Sequence, residues 1–160
     1  MSLTMLVPQE ANSATQLNIP DGARILIACD DGAEGIRLKL LLREAGFMAD
    51  SVDRITAACE SARSGEYQLI ISTPQLSDGS WKRLADIAKH FDLHFEVILW
   101  ARHFDLAEWS EALNQGAFDV LDALFDRTRI AGVAKCALWA AYLRGARTKA
   151  TLAPLPNKVA

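Results

Sequence analysis

The stretch Arg24-Ile25-Leu26-Ile27-Ala28-Cys29-Asp30-Asp31 decides how this chain reads. Its continuous apolar run is too short for a helix and suits a strand buried on both faces of a parallel sheet. Two adjacent carboxylates then close the strand at its C-terminal tip. They repel each other and ordinarily need a cation or a strong donor nearby. A metal-assisted phosphoryl site would draw another acid, a hydroxyl and a lysine from the following strand ends. In this chain the following strand ends do not supply them.

Outward from that stretch, short apolar runs alternate with helical patterns. Asp31-Gly32-Ala33-Glu34 opens a first helix with capping-box-like acid spacing, which runs through Leu38, Leu41, Leu42 and Ala45 and stops at Gly46. Residues 48–52 predict a second strand, and Asp53 is placed to cap a second helix ending near Ser64-Gly65. Residues 68–72 predict a third strand, followed by the turn-rich loop Thr73-Pro74-Gln75-Leu76-Ser77-Asp78-Gly79. A third helix is expected at about 80–91 and a fourth strand at 95–100. A fourth helix carries Leu106, Trp109, Ser110 and Leu113 as one stripe, with Glu108, Glu111 and Gln115 opposite. A fifth strand at 118–121 and a final helix at about 128–146 complete the pattern. The fold class is α/β: a five-stranded, doubly wound parallel sheet in three αβα layers. Its binding crevice should lie at the C-terminal strand ends, at Asp30-Asp31, Thr73, Trp100-Ala101 and Asp122-Ala123.

Composition sets the bounds. The 160 residues are 51% hydrophobic and 23% charged, which describes one ordinary globular domain with ends to spare. A net charge of −3 argues against a broad nucleic-acid face. Cys29, Cys59 and Cys136 are far apart, so neither a disulfide framework nor a zinc site is expected. Reduced thiols in a cytoplasmic protein fit better. No apolar run approaches the roughly 20 residues that span a bilayer, and no signal peptide is visible. Residues 1–22 read as a loose N-terminal arm, 23–146 as the domain and 147–160 as a loose tail, with no room for a DNA-binding domain.

In element order, acid pair, Asp-Gly loop after strand three and Gln-Gly-Ala turn before strand five, residues 23–146 resemble a response-regulator receiver domain, CheY-like, with the flavodoxin-like sheet. The resemblance implies a two-component, phosphorelay signalling role. In that family an aspartate ending strand three accepts the phosphoryl group and the acid pair helps bind magnesium. A Ser or Thr after strand four senses the phosphoryl group, and a lysine after strand five contacts it. Carried over by position, the acid pair is Asp30 and Asp31, the acceptor position is Thr73, the switch position is Trp100 and the lysine position is Ala123. Leu124 stands where proline usually follows the lysine. Thr73 cannot form an acyl phosphate, Trp100 puts a ring where a small hydroxyl belongs, and Ala123 removes the cation that offsets developing charge. The resemblance is therefore to a pseudo-receiver, with no catalytic residue and no cofactor expected. Magnesium at Asp30 and Asp31 is the one ion such a remnant would hold.

Each of these residues also has an ordinary structural use. Asp31 is placed to cap the first helix with Asp30 solvated, Thr73 to make a local hydrogen bond, Asp78 to serve the turn beside Gly79, and Trp100 to plug the vacated pocket. His90, His94 and His103 have no ligand spacing, whereas Arg102-His103 is placed to meet an anion entering the crevice. On the final helix, Ile130, Val133, Ala134, Ala137, Leu138 and Ala141 share one face, while Trp139 projects opposite, flanked by Cys136, Tyr142 and Leu143. An apolar outer face of that kind marks either a partner interface or a seat for the N-terminal arm or C-terminal tail. The reading is a non-enzymatic signalling module acting through protein contact. Its partner is a signalling protein or a second copy docked on helix 4, strand 5 and helix 5. The alternatives are an atypical phosphorylatable receiver using magnesium at the acid pair and a small-ligand-binding flavodoxin-like protein. Against the latter, the first loop is acidic and offers phosphate no cradle.

Overall fold

Residues 24–28 are committed to the sheet interior because every side chain after Arg24 is buried. The computed structural model describes residues 18–152. In it β1 (Arg24–Ala28) is followed by α1 (Gly32–Glu44), β2 (Met48–Val52), α2 (Ile55–Arg63), β3 (Leu69–Ser72), α3 (Lys82–His90), β4 (Glu96–Ala101), α4 (Leu106–Asn114), β5 (Asp119–Asp122) and α5 (Ile130–Leu152). The five strands pair in the order β2-β1-β3-β4-β5, all parallel. This is the doubly wound α/β class that the sequence predicts.

Alternate residues of the central strands feed two separate cores. Ile25, Ile27, Leu69, Ile71, Ile98, Trp100 and Leu121 pack under α1 and α5. Leu26, Ile70, Val97, Leu99 and Val120 pack under α2, α3 and α4. Both sheet faces are thus covered, which is why these strands are continuously apolar. On α5 the buried Ala134, Ala137 and Ala141 bring the helix close to the sheet. Gly46, with φ +98°, ends α1 by turning the chain left-handed, and the Gly46 and Phe47 amides donate to the Arg43 and Leu42 carbonyls.

The structure corrects several expectations. The turn-rich segment after β3 is a small antiparallel hairpin, Gln75–Leu76 against Gly79–Ser80. Asp53 does not cap α2. Arg54 occupies the cap position without a side-chain bond, and Asp78 of the hairpin caps the helix instead, accepting from the Ile55 and Thr56 amides at 2.7 and 3.0 Å. The hairpin is pressed against α2 closely enough that a Cβ on Gly79 would sit 3.0 Å from Ile55 Cγ2. That proximity delivers the Asp78 carboxylate to the helix end. Asp78 therefore does more than the turn role expected of it.

On α4 only part of the apolar stripe meets the core. Leu106 and Trp109 are exposed, Ala112 is buried and Leu113 is half-buried. The last helix continues past 146 to Leu152, because no Gly or Pro intervenes before Pro154. Residues 147–152 thus continue the helix expected to end at about 146. Arg144 anchors this part of α5 to the sheet, its Nη2 donating to the Phe95 carbonyl (3.0 Å) and pairing with Glu96 (2.9 Å). Of the arm, residues 18–22 are described and Ile19 packs on the core; residues 1–17 and 153–160 lie outside the described residues.

Candidate functional site

A parallel sheet whose strand order reverses around β1 and β3 opens a crevice beyond the C-terminal strand ends. Here that crevice is a cleft of about 420 Å³ whose lining includes Asp30, Asp31, Glu34, Thr73, Trp100 and Ala123. Of the residues singled out at the strand ends, the cleft gathers Asp30, Asp31, Thr73, Trp100, Ala101 and Ala123 but not Asp122, with Arg102, His103, Phe104 and Glu108 completing the lining. Clefts of similar volume at the opposite end of the sheet are lined by Leu93, His94 and Phe95 and bring no such set of acids together.

Each side chain arrives by a local cause. Asp31 Oδ1 accepts from the Ala33 and Glu34 amides at 3.1 and 3.3 Å, the N-cap of α1, while Asp30 is exposed at the mouth. Thr73 follows β3, its amide bonded to the Ala28 carbonyl, and its hydroxyl lies 3.5 Å from the Gln75 carbonyl. His103 takes a left-handed conformation (φ +62°) in the loop after β4, where a non-glycine residue is under strain. Trp100 is 1% exposed, packed in the core under α1 and α5, and its indole N–H has no protein acceptor. Ala123 is buried beside it.

One residue at the crevice is not apparent from the sequence. Arg127, four positions after Ala123, donates through Nη2 to both Glu34 carboxylate oxygens, at 2.9 and 3.0 Å. Its guanidinium carbon lies 5.5 Å from the Trp100 ring centroid, within cation–π range. The Glu34 side chain is 10% exposed and that of Arg127 is 33% exposed, so the pair is largely desolvated. No sequence signal links the two, which are 93 residues apart. The loop carrying Arg127 is also braced from within. Asp122 Oδ1 accepts from the Leu124 and Phe125 amides (2.7 and 3.3 Å), and Asp126 Oδ2 accepts from the Asp122 amide at 2.8 Å. The Asp122 amide bond and Arg129 hold the Asp126 carboxyl below its usual range.

These donors do not fit magnesium. The ion wants several hard oxygens in near-octahedral array. Here β3 is followed by Thr73 and not by a carboxylate, Asp31 is engaged by two amides and Glu34 is taken by Arg127. Among the described residues no cluster of three or more His, Cys, Asp or Glu is arranged to hold a metal. The thiol of Cys29 beside the acid pair is pushed up by burial, so it is not an activated nucleophile.

The second candidate surface is the outer face of α5. Tyr142 and Leu143 are 52% and 56% exposed, and Cys136 is exposed. Trp139 is half-buried, stacks edge-on against Tyr142 at 5.4 Å, and donates its indole N–H to the Asn18 carbonyl at 2.6 Å. Trp139 is therefore partly covered by the end of the N-terminal arm, while its neighbours stay open. Leu106, Trp109, Leu124 and Phe125 are also exposed, on α4 and on the loop after β5. No described helix is long and apolar enough to cross a membrane.

No protein-family model matches the chain, and no curated protein matches it. Solved structures do match. A signal receiver domain from Vibrio parahaemolyticus superposes with TM-score 0.71 at 22% identity, covering 78% of this chain and 95% of its own. The signal receiver domain of an HD domain-containing protein from Pseudomonas fluorescens Pf-5 gives 0.70 at 22%, covering 81% and 96%. The beryllofluoride-activated NtrC4 receiver domain dimer gives 0.67 at 21%, covering 74% and 98%. The class is thus defined by fold: this chain has the receiver-domain fold of two-component response regulators.

Proposed function

We propose that this chain is a receiver-like signalling module that works through protein contact and is neither phosphorylated on aspartate nor an enzyme. One observation carries the reading. The place of a phosphoryl group and its collaborators is taken by Thr73, Ala123 and a buried Trp100 ring, with Arg127 over that ring already neutralised by Glu34. An acyl phosphate needs a carboxylate acceptor, and transfer needs a free cation for the developing charge. The end of β3 offers Thr73 in place of the first, and the Arg127 guanidinium is already paired.

The fold meanwhile keeps apolar surface in the open on α4, on the loop after β5 and on α5. Exposed apolar side chains of this kind suit association. A second copy of the chain is the simplest partner for it, and the NtrC4 receiver of the same fold is a dimer. A two-component pathway is the setting this fold suggests. Sedimentation over a wide concentration range tests the contact reading: a monomer–dimer equilibrium weakened by Tyr142→Glu with Leu143→Glu supports it. A strict monomer that also captures no signalling protein from its own cell would count against it.

A further inference from the structure

The pairing of Glu34 with Arg127 joins two parts of the chain, 93 residues apart, across the crevice. Glu34 belongs to the first turn of α1, and Arg127 to the loop between β5 and α5. That loop is braced internally by its own Asp122, Asp126 and Arg129 bonds. Its outer side presents Leu124 and Phe125, the latter 79% exposed. A buried ion pair of this sort is weak evidence for stability, because desolvation offsets much of the attraction, but it specifies geometry. Holding a braced loop at one point sets where that loop's exposed tip stands.

We infer that the Glu34–Arg127 pair, seated on the Trp100 ring, is a latch that holds the β5–α5 loop and its Leu124–Phe125 tip in one presentation without any phosphoryl group. This inference rests on the contact reading above and names how that surface is regulated: by an internal ion pair across the crevice. Arg127 then supplies from within the chain the cation that is absent at position 123. Trp100 supplies the platform that keeps the guanidinium over the crevice.

The test is amide hydrogen exchange on the full chain, comparing wild type with Glu34→Gln, Arg127→Gln and the double variant. The latch predicts that each single change speeds exchange across residues 122–129 about tenfold, and that the double is no faster than either single. Exchange in β3 should stay unchanged. Unaltered exchange at 122–129, multiplying effects in the double variant, or equal acceleration in β3 would each overturn it. Sedimentation of the same four proteins reads the contact surface separately. If none of them associates, the homodimer reading fails while the exchange result still decides the latch.

Discussion

Trp100 occupies the position where the receiver resemblance implies a small hydroxyl, and its surroundings show what a ring there costs and returns. The ring fills a fully enclosed volume between β4 and α5, yet its N–H is left without a protein acceptor. A buried unmade donor costs about 1–3 kcal/mol, whereas the lost volume of a large ring costs about 3–5 kcal/mol. Trp100→Phe should therefore hold stability within about 1 kcal/mol of wild type, and Trp100→Thr should lower it by about 3–5 kcal/mol. Urea denaturation checks both; a neutral Trp100→Thr would mean that the crevice has room for a hydroxyl switch. Asp78 gives a second test at this scale. The Thr56 amide, aided by its hydroxyl and the Ile55 amide, holds the Asp78 carboxyl at about 2. A depressed carboxyl stabilises the fold above its unfolded value, near 4, and loses that contribution as pH falls towards 2. Asp78→Asn should be less stable than wild type at neutral pH, with the gap closing between about pH 4 and 2. A gap that does not depend on pH would show that the carboxylate's charge is irrelevant to the cap.

At the level of elements, local signals were legible and distant ones were not. Strands declared themselves as unbroken apolar runs because both sheet faces are covered, and Asp31 could be read as the α1 cap because it binds amides two and three residues on. The cap of α2 was illegible because its carboxylate comes from a hairpin 23 residues away. Periodicity shows the amphipathic stripe of α4 but not which of its residues meet the core; Ala112 and Leu113 pack inward while Leu106 and Trp109 are exposed. On α5 the exposed apolar residues can be changed at little cost to folding. Tyr142→Glu with Leu143→Glu should leave stability within about 1 kcal/mol of wild type while weakening self-association at least tenfold. A large loss of stability would instead assign these side chains to intramolecular packing.

For the whole molecule, order of elements and identity of the strand-end residues were enough to place Asp30, Asp31, Thr73, Trp100 and Ala123 around one crevice, and the structure assembles them there. What closes that crevice is not readable, since Glu34 and Arg127 meet only once β1, β3, β4 and β5 are assembled in one sheet. The acid pair at the end of β1 thus marks the geometry of a receiver fold, with an internal ion pair over an aromatic ring in its crevice. The most direct measurement is intact-mass analysis of the full chain after incubation with a small acyl phosphodonor and magnesium. The account predicts no gain of a phosphoryl group. A stable gain that disappears in Asp30→Ala or Asp31→Ala would contradict it.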